Sequence, residues 1–313
     1  MAQFVIRKAK RRKVFVKMAL IGSSGSGKSY GSLRIATGMA SEIKKKTGRD
    51  AKILVVNTES DRGEYYANEF NYDVIDINPP HNPEKYVDVI NFAIQEGYDI
   101  LIIDSASHEW EGKGGCLELQ QQAGGTYQAW AKVTPRHQKF INAIADSPIH
   151  IIATMRGKDQ YEMNKDEKGK VQVQKLGIGA KQREGFEYEF TCSFLLDQKT
   201  NTCEVQKDNT HIFEHESSIL LTEEHGKRII QWADSGEGYA PVVRKDEEET
   251  SADDLAAIKK QIVAKCTELG GTKNTDMMNL LKTFVPSGNP NAIRDVEKAK
   301  QCLATLNDMR EAL

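Results

Sequence analysis

Long apolar runs are missing from this chain, and their absence excludes a membrane-spanning helical protein. The longest aliphatic clusters, ILVV at residues 53–56 and ILII at residues 100–103, are far shorter than the roughly 20 residues that a bilayer-spanning helix needs. The first residues also lack the apolar core of a signal peptide. We therefore expect a cytoplasmic protein with no membrane partner.

Closely spaced cysteine pairs are missing as well. The five cysteines are widely scattered, and no two of them form a C-x-x-C pair: Cys116, Cys192, Cys203, Cys266 and Cys302. This spacing favours buried free thiols over disulfides or a zinc site. A reducing compartment fits that expectation.

A strong excess of one charge is also missing, since 43 basic residues face 45 acidic ones. Contact with nucleic acid must therefore come from local segments. Residues 7–17 carry seven basic side chains, and residues 157–183 carry seven basic against four acidic ones. Both could contact DNA, although basic segments are commonly only solvated. Residues 245–254, with six acidic and one basic side chain, are typical of a solvated linker.

From residue 14 to about residue 155 the chain alternates short β-branched runs with helical patterns, which predicts a mostly parallel sheet covered on both faces. The predicted strands are residues 14–21, 52–56, 73–77, 99–104 and 150–154. The predicted helices cover residues 30–43 and 83–97, and a third begins at Thr134 with Pro135 in its first turn. A hairpin within residues 187–205 and a helix over residues 222–233 follow.

These patterns divide the chain into four parts. Residues 1–17 form a basic arm and the first strand, residues 18–243 the α/β core, residues 244–254 an acidic linker, and residues 255–313 a module of three amphipathic helices. Some sixty residues make a marginal independent core, so we expect the module to rely on the main domain or on a partner.

The stretch GSSGSGKS at residues 22–29 fits G-x-x-x-x-G-K-[ST], after a strand and at the start of a helix. Loops of this kind hold the phosphates of a nucleotide with backbone N–H groups and the helix N-terminus. Lys28 would reach the β- and γ-phosphates, and the Ser29 hydroxyl would bind Mg²⁺. The predicted nucleotide-binding residues are Gly22, Ser23, Ser24, Gly25, Ser26, Gly27, Lys28, Ser29 and Tyr30.

Two carboxylates follow predicted strands and complete a hydrolytic site. Asp104, at the end of DILIID, is the candidate for the Mg²⁺ shell. In AAA+ proteins a catalytic glutamate normally comes directly after this aspartate, but Ser105 stands there instead. Glu59, at the end of AKILVVNTE, is the candidate base for the attacking water, a placement typical of RecA-type ATPases. Glu109 is the alternative base.

Taken together, ALIGSSGSGKSYGSLRIATGM, NTESDRGEYYANEF, YDILIIDSASHEWEGKGG, AWAKVTPRHQKFINAI, HIIATMRGKDQYEM and REGFEYEF resemble phage-encoded RecA-like P-loop ATPases. Some of these are described as single-strand annealing or recombination proteins, and they are often labelled AAA-family ATPases. The resemblance covers roughly residues 14–235. It implies a RecA-like core with an antiparallel hairpin extension, and a phage protein of the host cytoplasm that hydrolyses ATP with Mg²⁺.

The resemblance also implies single-stranded DNA as a partner, a homo-oligomer or filament, and contact with a single-strand binding protein or another replication protein. Its DNA loop corresponds to residues 157–183, with candidate contacts at Lys158, Tyr161, Lys170 and Lys175. Thr154 and Arg156 are the candidates for sensing the γ-phosphate. Lys181, Arg183 and Lys207 are candidates for acting on a neighbouring subunit's phosphate. A solvated β-hairpin is the alternative for the loop.

Two other functions stay open at this point. Nucleotide kinases share the phosphate loop, so a small-molecule phosphotransferase is one rival, although it leaves Glu59 without a role. The second rival is a nucleotide-gated adaptor that recruits a replication or packaging partner through residues 255–313.

Overall fold

A computed structural model describes residues 8–59, 62–165, 171–238, 252–271, 274–285, 287–293 and 296–309, with the backbone alone at residues 159–165, 171–177, 252–257, 296, 297 and 308. The chain divides into two compact units, Met1–Val242 and Val243–Leu313. Each unit is described by itself below.

The first unit is built on one sheet. Its strands are β1 Lys17–Gly22, β2 Ile53–Asn57, β3 Asp73–Asp76, β4 Ile100–Asp104, β5 His150–Lys165, β6 Val171–Ala180, β7 Cys192–Leu196 and β8 Cys203–Asp208. They run in the order β3-β2-β4-β5-β1-β7-β8, and β6 pairs with β5. The β5–β6 and β7–β8 pairs are antiparallel, and the other neighbours are parallel. The expectation of an α/β fold with a mostly parallel sheet is confirmed.

Helices connect these strands and form the second unit. In the first unit they are α1 Lys28–Thr47, α2 Pro83–Gln95, α3 Ser107–Glu111, α4 Cys116–Gln122, α5 Trp130–Asp146 and α6 Glu223–Ala233, with 3-10 turns at Tyr127–Ala129 and Phe186–Glu189. In the second unit they are α7 Ala252–Glu268, α8 Thr275–Phe284 and α9 Val296–Asp308, with a 3-10 turn at Pro290–Ala292.

Alternate side chains of β1 point to opposite faces of the sheet, as the pleat requires. Met18 and Leu20 join the apolar cluster with α1 and α6, whereas Ala19 and Ile21 join the cluster with α2 and α5. Because both faces are buried, the four residues that follow Lys17 in this strand are all apolar. The two faces of the sheet are thus covered by different helices, α1 and α6 on one face and α2 and α5 on the other.

The crossing of α1 and α6 is unusually close. A Cβ placed on Gly38 would lie 1.8 Å from the Glu223 carbonyl oxygen, and one on Gly226 would lie 2.1 Å from the Ile35 carbonyl oxygen. Arg34 donates two hydrogen bonds to the Glu223 carboxylate, at 2.9 Å and 2.7 Å, at the same crossing. The helix that follows the phosphate loop is thus held tightly against α6.

Two predicted elements of the first unit differ from the structure. Helix α5 begins at Trp130, one turn before the predicted start, and Pro135 lies inside it. Trp130 stacks on Trp110 at a centroid distance of 5.3 Å, and Val133 is buried, so packing extends the helix past the capping signal at Thr134. Most of the predicted DNA loop over residues 157–183 is an antiparallel hairpin of β5 and β6, and its contact with DNA stays a prediction.

The basic segment before β1 packs against the end of α6. The Arg11 guanidinium lies 4.1 Å from the centre of the Trp232 ring and donates a hydrogen bond to the Trp232 carbonyl at 3.0 Å. Lys10 forms an exposed ion pair with Glu237 at 3.4 Å. These contacts tie two cations of the predicted DNA arm to the core; residues 1–7 lie outside the described residues.

The second unit has its own apolar core. Its buried side chains come from all three helices and include Ile262, Met277, Leu281, Cys302 and Leu306. Helix α7 begins at Ala252, so the last three residues of the predicted acidic linker 244–254 are helical. The rest of that linker, up to residue 251, lies outside the described residues.

All five cysteines are free and buried, which confirms the expectation drawn from their spacing. Among the described residues, no helix combines the length and the apolar character that crossing a membrane requires.

Candidate nucleotide-binding site

The loop at residues 22–29 joins β1 to α1 at the edge where the parallel strands end. Gly25 and Gly27 have φ values of 80° and 86°, a left-handed conformation that favours glycine. A Cβ on Gly22 would lie 2.4 Å from the Ser26 hydroxyl oxygen and 2.9 Å from the Leu196 carbonyl oxygen. The buried Ser26 hydroxyl has no hydrogen-bond partner in the part of the chain that the structure describes. The backbone is therefore shaped as an anion cradle at a helix N-terminus.

Lys28 is the first residue of α1, and its ammonium folds back over the loop. The Lys28 Nζ donates a hydrogen bond to the Ser23 carbonyl at 2.7 Å. Burial lowers the pKa of Lys28 below its usual value, although the nearby Asp104 carboxylate opposes that shift. A phosphate placed here would stabilise the charged ammonium, so the site favours an anionic ligand.

Asp104 lies at the end of β4, between two hydroxyl donors. The Ser29 Oγ donates to one of its carboxylate oxygens and the Thr154 Oγ1 to the other, both at 2.5 Å. Thr154 is fully buried on β5, the next strand of the sheet. A serine hydroxyl beside a carboxylate offers the hard oxygen ligands that Mg²⁺ prefers. The predicted metal pair is thus brought together.

Glu59, two residues after β2, is held by two guanidinium groups. The Arg156 Nη2 and Nε donate to its Oε1 at 2.6 Å and 3.2 Å, and the Arg62 Nη1 donates to its Oε2 at 2.7 Å. Burial alone would raise the pKa of Glu59, but Arg156 and then Arg62 outweigh burial and hold that pKa below its usual value. Arg62 was missed by sequence reasoning; its position three residues after Glu59 was the available signal.

The Arg156 guanidinium also lies 3.9 Å from Glu111, which is 3.6 Å from the Lys181 ammonium. The backbone N–H of Lys181 donates to the Arg156 carbonyl at 2.6 Å. Arg183 follows two residues later, with its N–H on the Gln182 side-chain oxygen at 2.8 Å. Charged residues of alternating sign thus extend from Glu59 to the end of the hairpin.

A cavity of about 720 Å³ joins these groups, and its walls include Lys28, Ser29, Glu59, Asp104, Arg156 and Lys181. Tyr30 lines it too, and its hydroxyl donates to Glu69 at 2.9 Å. Lys181, predicted to act on a neighbouring subunit, thus reaches the cavity of its own chain. A second polar cavity of about 800 Å³ shares Glu59 and Arg156 as a wall.

The predicted DNA residues lie on the hairpin that β5 and β6 form. Lys158 is exposed on β5, opposite Gly179. The side chains of Tyr161 and Lys175 lie outside the described residues, although their backbone is paired between the strands. Lys170 lies outside the described residues altogether.

Glu109, the alternative base, does not reach the cavity. Its side chain is fully buried and contacts His137 at 3.0 Å, Cys116 at 3.0 Å and Gln182 at 3.2 Å. A carboxylate enclosed by protein donors cannot position an attacking water, so Glu109 is excluded as the base.

The Trp110 ring packs between the rings of Trp130 and His137, with centroid distances of 5.3 Å and 5.1 Å. Lys207 donates to the Tyr188 carbonyl at 2.5 Å.

Comparison with family models gives one match, an AAA domain over residues 15–232. That range covers most of the chain. The chain belongs to the AAA domain family. No curated protein matches it. Membership indicates a nucleotide-binding P-loop ATPase, and the departure at Ser105 from the usual AAA+ glutamate does not place the chain outside this family.

Proposed function

We propose that the protein hydrolyses ATP with Mg²⁺ and couples hydrolysis to single-stranded DNA, as an annealing or strand-exchange ATPase of RecA-like type. One observation carries the hydrolytic part of the proposal. Lys28, Ser29, Asp104 and Glu59 come from three separate segments and line one cavity beside a glycine-rich anion cradle.

The residues of the cradle divide the work of binding. Backbone N–H groups of the loop and the Lys28 ammonium hold the phosphates, while Ser29 and Asp104 hold the cation. The cation supplies charge neutralisation at the terminal phosphate. Glu59 accepts hydrogen bonds from two arginines in this structure, so it must exchange part of that contact for a water before it can serve as a base.

Strand β5 supports the coupling to DNA. Thr154 on this strand contacts Asp104, and Arg156, two residues on, contacts Glu59. The same strand continues into the hairpin, and the sequence from residue 157 to residue 183 is net positive. A polyanion bound to the hairpin would therefore act on a strand that already touches both catalytic carboxylates.

The remaining parts of the proposal rest on the resemblance to phage RecA-like ATPases. They are a homo-oligomer or filament in the host cytoplasm, a role in trans for Lys181 or Arg183, and a single-strand binding protein or other replication protein as partner. Lys181 at the cavity edge is consistent with a site that assembly completes, because among the described residues the one carboxylate within ion-pair distance of its ammonium is that of Glu111, at 3.6 Å.

The test is the rate of phosphate release from ATP, with and without single-stranded DNA, over a range of salt concentrations. We expect DNA to raise the rate, and the DNA affinity to fall as salt rises. Reversing a hairpin charge with Lys158→Glu should weaken DNA binding, whereas Lys132→Glu, at an exposed position of α5, is the matched control. Release stimulated by a small acceptor instead would favour a phosphotransferase, and salt-insensitive or absent DNA binding would contradict the recombination role.

A second candidate is a nucleotide-gated adaptor, favoured by the separate apolar core of residues 243–313. Such a unit can present a binding surface without taking part in hydrolysis. Truncation after Glu249 decides between the two. Intact ATPase and DNA binding with loss of a replication partner would support the adaptor, and loss of ATPase would mean that the helices support the core.

A further inference from the structure

Glu109 lies at the centre of a buried polar cluster that takes no part in the nucleotide binding or the hydrolysis proposed above. Its carboxylate contacts the His137 ring on α5, the Cys116 thiol on α4 and the Gln182 amide just after β6. All four side chains are at most 2% exposed. A buried carboxylate is costly unless donors satisfy it, and here three donors converge on it.

Gln182 is fixed at both ends of its amide. The Nε2 donates to the Ala106 carbonyl at 3.0 Å and to Glu109 at 3.2 Å, while the Oε1 accepts the Arg183 N–H at 2.8 Å. The rotamer and the backbone at this position are therefore determined together. The residue bonded directly before Gln182 is Lys181, which lines the nucleotide cavity.

One short helix holds this whole junction. On α3, Glu109 binds Gln182, Glu111 lies 3.6 Å from the Lys181 ammonium, and the Ser107 hydroxyl accepts the Arg156 N–H at 2.9 Å. Helix α3 begins three residues after Asp104. The end of the hairpin is thus anchored to the segment that directly follows the metal-binding strand.

We propose that Gln182 is a positioning residue for hydrolysis, which Glu109 and Ala106 hold so that Lys181 stays directed at the terminal phosphate. The inference rests on the proposed ATPase function. Lys181 then acts within its own chain on the charge that develops on the phosphate, which leaves the role in trans to Arg183, and Gln182 acts only through Lys181. Gln182 itself is buried away from the cavity and does not touch the nucleotide.

The test is a double-mutant cycle in the full chain, with Gln182→Ala, Lys181→Ala and the double variant. We expect Gln182→Ala to lower kcat about tenfold and to leave the KM for ATP within about twofold, because displacing a positioned group costs rate rather than affinity. The double variant should have the kcat of Lys181→Ala alone. A normal kcat in Gln182→Ala, or losses that multiply in the double variant, would overturn the positioning role.

Two further variants separate positioning from folding. Gln182→Met keeps the volume and removes the amide, so it should reproduce the loss in kcat at temperatures below its melting temperature, which the lost hydrogen bonds to Glu109 and Ala106 should lower. Ser193→Ala removes a buried hydroxyl that has no hydrogen-bond partner among the described residues and should leave kcat unchanged. A Met variant with normal kcat would contradict the proposal. A wild-type protein that releases no phosphate from ATP would instead overturn the proposed function, and the positioning role with it.

Discussion

The two carboxylates at the ends of the nucleotide cavity, Asp104 and Glu59, accept hydrogen bonds from different kinds of donor. Asp104 and Glu59 follow neighbouring parallel strands, since Asn57 of β2 pairs with Asp104 of β4. Asp104 accepts hydrogen bonds from two neutral hydroxyls, those of Ser29 and Thr154. Glu59 accepts its hydrogen bonds from two guanidinium groups.

This difference decides what each carboxylate can do. Hydroxyl donors bring no positive charge to Asp104, and the nearby Lys28 ammonium would be engaged by a bound phosphate, so that end of the cavity can accept a metal cation. Guanidinium groups compensate the charge of Glu59 and lower its pKa, which makes it a weaker base until one of them withdraws. We infer that cation binding needs little rearrangement, whereas activation of water needs an exchange of partners at Glu59.

The largest effect is expected at the Asp104 end. Asp104→Asn keeps the shape but removes the charge that attracts the cation, so Mg²⁺-dependent hydrolysis should fall about a thousandfold. Nucleotide binding measured in the absence of Mg²⁺ should change little, because Lys28 and the loop remain. Undiminished hydrolysis in this variant would show that the cation is held elsewhere.

The next effect is expected at the other carboxylate. Glu59→Gln should lower kcat about a hundredfold, because the amide cannot accept a proton from water, while ATP binding is retained. Single-turnover hydrolysis beside a nucleotide-binding assay measures both quantities. The exposed Glu64→Gln serves as the control, and near-normal turnover in Glu59→Gln would remove Glu59 from its role.

A smaller effect is expected from the Thr154 hydroxyl on β5, which donates a hydrogen bond to Asp104. Thr154→Val conserves volume and removes one hydrogen bond to the carboxylate, so kcat should fall about tenfold. The control is Thr37→Val, which removes a buried hydroxyl for which the described residues offer no hydrogen-bond partner. Equal losses in the two variants would mean that packing, and not the contact with Asp104, is being measured.

The smallest effect is expected from Arg62, and here kcat should rise instead of falling. Arg62 is more than half exposed, so Arg62→Ala should raise the DNA-free kcat about twofold by freeing one oxygen of Glu59. Since Arg62 lowers the pKa of Glu59, its removal raises that pKa, and the acid limb of the pH–rate profile should move to higher pH. Arg49→Ala, which breaks an ion pair with Asp99, is the control. A limb that moves to lower pH would contradict the assignment.

The position of the phosphate loop, Asp104 and Glu59 beside one cavity was predictable from the sequence, because each lies at or just after the end of an apolar strand of a parallel sheet. The start of α5 was not predictable from Thr134 and Pro135, because stacking between Trp110 and Trp130 joins residues twenty positions apart. The same dependence on tertiary contacts explains why Glu109 was an alternative candidate for the base. Its sequence position suited a base, and only the tertiary contacts show it enclosed by protein.

The close crossing of α1 and α6 has a consequence for mutational tolerance. Gly38 lies in the middle of α1, and in the interior of a helix alanine is ordinarily more stabilising than glycine. Here the added methyl group would overlap the Glu223 carbonyl, so α6 would have to move away from α1. In a saturation library, position 38 should therefore be as intolerant as the glycines of the phosphate loop, although it lies three turns away from any phosphate.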